Sequence, residues 1–184
     1  MLSQDREDLS PGGKPGSRKT EQTILWTFVL TFLVFSFWFA GIFLAPYLRS
    51  LSSPWAGLVY AVYSPFCHQV PDRSLSCFGH PLSVCARCLG IYSGMLFGLV
   101  LYPFIRGYRQ VRAPENKVFF VFSAPIVLDT AANFIRLWRS PNAVRLATGL
   151  LWGTLLPYYL ITGLVDFLRQ RRIKMRERAT LLRS

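Results

Sequence analysis

All four cysteines and both histidines of the 184-residue chain fall between positions 67 and 88: Cys67, His68, Cys77, His80, Cys85 and Cys88. Thiolate sulfur and imidazole nitrogen are the usual ligands of tetrahedral zinc, and three sulfurs with one nitrogen complete such a site. Cys77, His80, Cys85 and Cys88 read C-x-x-H-x4-C-x-x-C, a compact knuckle-like spacing. Cys67 or His68 joined to Cys85 and Cys88 would close a longer loop around the same metal. The thiols support two other chemistries as well. In an oxidising compartment an even number of cysteines pairs into static disulfides, and a C-x-x-C can instead exchange electrons as a reactive pair. Cys85 and Cys88 lie three residues apart, which on a helix puts them on one face with Tyr92 a turn deeper. A thiol at a helix N-terminus beside Arg87 is biased toward thiolate, the form that binds metal and attacks disulfides.

The elements that hold these residues are membrane spans. Apolar residues make up 52% of the chain and aromatics 15%, more than a soluble domain of this size needs. From Ile24 to Tyr47 there is no charge between Glu21 and Arg49, a run longer than the ~20 residues that cross hydrocarbon. It starts too far into the chain for a cleavable signal, and no A-x-A-like site follows it. The stretch from Trp55 to Phe66 is flanked by Pro54, contains Pro65 and is short for a crossing, so an interfacial or re-entrant segment is expected. The second span, Val84 to Ile105, carries Gly90, Gly94 and Gly98 at every fourth position, a smooth stripe on which another helix can pack closely. The third, Val118 to Ile135, contains Pro125, Asp129 and Asn133, and the fourth, Val144 to Leu168, is uncharged between Arg145 and Asp166. The expected fold is an all-α integral membrane protein: a four-transmembrane-helix bundle over residues 23–168, with the short segment between helices 1 and 2. Residues 1–22 are too polar to bury and are expected to be a disordered tail, and residues 169–184 a basic tail.

A net charge of +12 would ordinarily suggest nucleic acid. The charges sit in tails and loops, with no basic stripe interleaved with exposed aromatics, so nucleic acid is excluded as a partner. Four crossings put both tails on one side. Fifteen of the twenty-one Lys and Arg lie in those tails and in the loop between spans two and three, against Arg49, Arg73, Arg87, Arg136, Arg139 and Arg145 on the other face. The positive-inside rule therefore puts both termini in the cytoplasm and the Cys/His loop outside the cell membrane.

The segment Cys67-His68-Gln69-Val70-Pro71-Asp72-Arg73-Ser74, followed after Pro81 by Cys85-Ala86-Arg87-Cys88 and by Gly90, Ile91, Tyr92 and Gly94, resembles a known signature. It runs C-H-Q-x-P-x-R-S and then C-A-R-C-x-G-I-Y-x-G in a family of small bacterial and archaeal predicted membrane proteins of unknown function. The resemblance extends from about Phe66 to Gly153 and includes an Asp in the third span and an N-x-x-R-x-x-T-G element, here Asn142, Arg145, Thr148 and Gly149. It implies Cys67, His68, Cys85 and Cys88 as the metal ligands, with Cys77 and His80 particular to this chain.

Polar residues at the same face suggest a site rather than a staple. Asp129, Asn133 and Arg136 recur at spacings of four and three, and Asn142 and Arg145 open the fourth span. Asp129 is expected roughly 10 Å below the outer boundary. An ionised group at that depth costs several kcal/mol unless paired, so it should face the bundle interior, with Arg145 or Arg136 as its partner. The leading functional reading is a zinc centre. Four protein ligands would make it structural, whereas three would leave a position for water. In the second case an anionic or lipid-linked substrate, gripped by Arg73, Arg136 and Arg145 beside Asp129, would be hydrolysed or transferred. The alternatives are a membrane thiol–disulfide oxidoreductase coupled to quinone, with Cys67 and Cys77 as the loop pair, and a non-catalytic binding or assembly protein. In the latter the cysteines clip the fold and the tail from Arg169 to Arg183 touches anionic membrane lipids. The sequence carries no nucleotide-binding glycine loop, Ser-His-Asp order or paired carboxylates, and one deep acid gives little for a transport pathway.

Overall fold

The computed structural model describes residues 18–106 and 115–181. The expectation of a disordered tail therefore lies outside the described residues up to position 17, as do Arg109, Arg112 and the last three residues. The described residues form five helices: α1 (Arg18–Ser50), α2 (Trp55–Tyr63), α3 (Ala86–Arg106), α4 (Asn116–Phe134) and α5 (Asn142–Leu181). Between α2 and α3 lie a single 3-10 turn at Pro71–Arg73 and two paired two-residue strands, β1 (Ser76–Cys77) and β2 (His80–Pro81). Four of the helices are long and apolar enough to cross a membrane, over Ile24–Ser50, Ala86–Ile105, Asn116–Phe134 and Asn142–Leu168. The chain is an all-α membrane protein. Helices satisfy their own backbone groups, which hydrocarbon cannot do for them, and this is why long apolar runs take that form.

The outside of the bundle is apolar, as lipid contact requires: Phe37, Phe104, Phe120, Leu128 and Phe134 are all exposed. Helix α2, nine residues long, spans only ~14 Å at 1.5 Å per residue, too short to cross a ~30 Å hydrocarbon core. It folds back on α1, where the Tyr63 hydroxyl donates to the Trp38 carbonyl at 2.6 Å and the two rings stand 4.7 Å apart. Helix α1 begins at Arg18, within the expected tail, and α5 continues as helix beyond its span to Leu181.

Apolar side chains gain nothing from leaving lipid for a helix interface, so close packing must hold α3 to α5. The glycine stripe does this. A Cβ at Gly90, Gly94 or Gly98 would fall within 3.0 Å of the backbone of α5 at Leu146, Leu150 and Thr154 respectively, while Gly149 and Gly153 of α5 meet Arg87 and Ile91 of α3 in return. The two backbones touch directly. Gly94→Leu is therefore expected to cost at least about 1–3 kcal/mol of overpacking strain, whereas Gly163→Leu, with nothing within 4 Å of its added Cβ, is neutral. Thermal unfolding of the two variants in detergent checks this, and equal melting temperatures would contradict the stripe.

Two buried clusters complete the interior. At one end Ile24 of α1, Leu99 and Tyr102 of α3, and Tyr158, Ile161 and Val165 of α5 pack together. At the other, Ile42, Tyr63, Cys67, Leu82, Val84 and Leu89 form a core against which Trp38, Cys85, Cys88 and Tyr92 pack. The cysteines thus sit at the end of the bundle where α1, α2 and α3 meet.

Candidate metal centre and the arginine-lined cavity

Cys67 reaches the bundle because α2 ends just before it. Its N–H bonds to the Tyr63 carbonyl at 3.0 Å, which turns the chain inward. Gln69, at φ +50, then stitches the loop: its side-chain amide donates to the Tyr60 carbonyl at 2.7 Å and to the Ser83 carbonyl at 2.9 Å. This ties the Cys67 segment to the strand of chain that leads into α3. The intervening hairpin turns through Phe78 and Gly79, both at positive φ, the two-residue turn that matches strand twist. The Phe78 ring stacks edge-on against Tyr47 of α1, 5.6 Å away. Across the hairpin Cys77 is paired with His80.

Cys85 stands immediately before α3, its carbonyl accepting from the Leu89 N–H at 2.9 Å and its own N–H donating to the Cys67 sulfur at 3.1 Å. Cys88 lies one turn on. The three sulfurs of Cys67, Cys85 and Cys88 all lie within 4.8 Å of one another. Thiolates held tetrahedrally at ~2.3 Å from zinc stand ~3.8 Å apart, so the triad fits a metal after a small contraction. All four cysteines are free thiols. The Cys85 thiol is held well below its ordinary pKa because its sulfur accepts hydrogen bonds from Cys67 and Cys88 and from the backbone N–H groups of Cys88 and Arg87, which together outweigh burial. The bias toward thiolate expected at this helix start falls on Cys85. Its source is the ring of hydrogen bonds rather than the Arg87 guanidinium.

That guanidinium is engaged elsewhere. Arg87 forms an ion pair with Asp129, joining α3 to α4. The expected partners of Asp129, Arg145 and Arg136, are not the ones it takes: Ser140 donates to its other carboxylate oxygen. Asn133 donates to the Asp129 carbonyl at 2.7 Å and to Ser140, and it accepts from Arg145 at 3.1 Å. Arg145 is thus one link further along the same network. Arg136 does not share a helical face with Asp129 and Asn133, because α4 ends at Phe134. Arg136 takes φ +59, with its N–H on the Asn133 carbonyl and the Leu137 N–H on the Ala132 carbonyl, the Schellman ending of a helix.

This turn places Arg136 on the wall of a cavity of ≈ 870 Å³ that Arg73, Arg87, Arg139 and Arg145 also line. A smaller cavity of ≈ 340 Å³ is lined by Cys67, His68, Cys85 and Cys88, and it shares Arg73, Arg87, Asn133 and Arg145 with the larger one. His68 is exposed and outside the sulfur triad. It lines the small cavity with the three cysteines without bringing a ring nitrogen into their group. The compact set Cys77, His80, Cys85 and Cys88 is not assembled, and among the described residues the convergent ligand group is the three-cysteine one. Two partners of Asp129 are absent from the sequence reading, Arg87 as its counter-ion and Ser140 as a hydroxyl donor. Arg87 sits next to Cys88 on the helix, turned by ~100° toward a neighbouring helix, which is the signal that could have found it.

The fold and the site define a polytopic α-helical membrane protein with three convergent cysteines and an arginine-lined cavity at one end of its bundle. The chain belongs to the family described as Predicted membrane protein (DUF2085), matched over residues 67–159, a span that contains the triad, Asp129 and Arg145. It is similar to an uncharacterized protein of Methanocaldococcus jannaschii, 38% identical over 139 residues that cover 72% of this chain and 87% of that one. It is also similar to an uncharacterized protein of Methanothermobacter thermautotrophicus, 33% identical over 84 residues, 46% of this chain and 74% of the relative. No solved structure matches the chain.

Proposed function

We propose that the chain is a zinc protein of the cell membrane whose Cys67, Cys85 and Cys88 centre faces the outside and serves hydrolysis or transfer of an anionic, lipid-linked substrate. The observation that carries this reading is the convergence of three thiols on the wall of a cavity they share with Arg73, Arg87 and Arg145. Zinc held by the three thiolates would supply a Lewis acid at its fourth position. The arginines orient the anion, and Asp129 is a positioning residue that fixes Arg87 through their ion pair. His68 is exposed in the same cavity. The outward orientation rests on the excess of Lys and Arg in the two tails and in the loop between the second and third spans. A quinone-coupled thiol oxidoreductase would need Cys67 paired with Cys77. Cys67 instead stands with Cys85 and Cys88, and Cys77 is not part of that group.

One experiment tests both the metal and the sidedness. In a Cys77→Ser background on intact cells, a membrane-impermeant maleimide is expected to modify Cys85 and Cys88 only after an impermeant chelator has removed the metal. Labelling that ignores the chelator would contradict the metal centre. Labelling confined to inverted vesicles would contradict the orientation.

A further inference from the structure

We infer that the larger cavity, at the corner between α4 and α5, is a binding site for a phosphate ester held at the depth of the lipid headgroups. Five arginines line it, Arg73, Arg87, Arg136, Arg139 and Arg145, against one lining carboxylate, Asp72. Asp129, the other acid nearby, is already engaged by Arg87 and Ser140. Guanidinium groups crowded in this way repel one another, and an anion among them removes the repulsion. Their planar forks match the oxygens of a phosphate.

Two of the arginines also hold a donor in reserve. The Nε atoms of Arg87 and Arg145 are buried and have no hydrogen-bond partner, and Arg145 as a whole is only 7% exposed. A buried donor left unpaired is costly, and both of these arginines line the cavity that an oxyanion would occupy.

The position of the cavity selects an ester over a free ion. Asn133 and Phe134 close the α4 span, and Arg145 lies in the first turn of the α5 span, so the cavity opens where hydrocarbon gives way to headgroups. Its rim carries Phe134 and Trp138, exposed by 87% and 52%, an apolar surface suited to the acyl chains attached to a phosphate. At ≈ 870 Å³ the space takes far more than a bare phosphate ion. Through the arginines it shares with the smaller cavity, a phosphate seated here borders the sulfur triad. This inference names the substrate class of the function proposed above; it rests on the anionic half of that reading and not on the metal.

The test is retention of lipid by the full-length protein purified in detergent, measured by native mass spectrometry with phosphatidic acid, with diacylglycerol as the phosphate-free control and with inorganic phosphate as competitor. Wild type is expected to retain phosphatidic acid over diacylglycerol by about tenfold or more, and Arg73→Gln and Arg145→Gln each to lose about tenfold, the effect of one charge-assisted hydrogen bond. Arg73 is exposed, so its variant keeps the test decisive if the buried Arg145 variant fails to fold. Competition by inorganic phosphate at concentrations equal to the lipid overturns the ester and assigns the site to free phosphate, and failure to compete assigns it to lipid. Equal retention of the two lipids by wild type, or an Arg73→Gln variant indistinguishable from it, overturns the inference. Zinc content read on the same samples separates the two claims: lipid bound without zinc overturns the metal reading alone, and zinc present without lipid preference overturns this one alone.

Discussion

Asp129→Ala is expected to destabilise the protein by about 3–5 kcal/mol, because it strips the counter-charge from a partly buried arginine and leaves that charge uncompensated. Asp129 is the one described residue of α4 that is buried. Its carboxylate holds Arg87 of α3 on one oxygen and Ser140, in the turn before α5, on the other. The substitution therefore loosens α4 from two neighbours at once and leaves Arg87 near Arg145, which has no carboxylate partner of its own among the described residues. For a chain of this size the loss corresponds to a melting temperature lower by roughly 10 °C. The double variant Arg87→Met with Asp129→Leu removes both charges and should recover much of the deficit, since replacing a buried pair by apolar groups is often neutral. A single Asp129→Ala variant that melts within about 2 °C of wild type would show that the ion pair does not hold α3 to α4.

The spans were readable in the sequence because the membrane imposes a length and a composition, and both leave a mark in any window of the chain. The glycine stripe was readable for a related reason. Three glycines at every fourth position lie on one helical face whatever surrounds them, and in the structure that face is pressed against Leu146, Leu150 and Thr154 of α5. The short α2 was legible from its length.

The Arg87–Asp129 pair was not. Which arginine meets Asp129 depends on how α4 is rotated about its axis, and no periodicity within α4 records that. Arg136 looked eligible because Ile135 and Arg136 continue the helical spacing. The chain leaves the helix at Phe134 by a turn that any residue tolerant of positive φ could close, so the sequence carried only a weak sign of it. The sulfur triad was half legible. Cys85 and Cys88 share a face by spacing alone, whereas Cys67 joins them through a loop held by Gln69, whose hydrogen bonds to Tyr60 and Ser83 are set by tertiary structure. His68 entered the expected ligand set through the family resemblance; it is exposed and lines the cavity of the cysteines without joining their triad.

The metal centre is the claim from which the chemistry follows, and elemental analysis of protein purified in detergent without added reductant or chelator tests it most directly. The largest effect expected of any substitution is that of Cys88→Ser, since removing one of three thiolates leaves two ligands, too few for tight zinc binding. Wild type should carry about one zinc per chain, Cys88→Ser almost none, and His68→Ala as much as wild type, because the histidine stands outside the triad. The absence of zinc or any other transition metal from wild type, or equal metal in wild type and Cys88→Ser, would contradict the account.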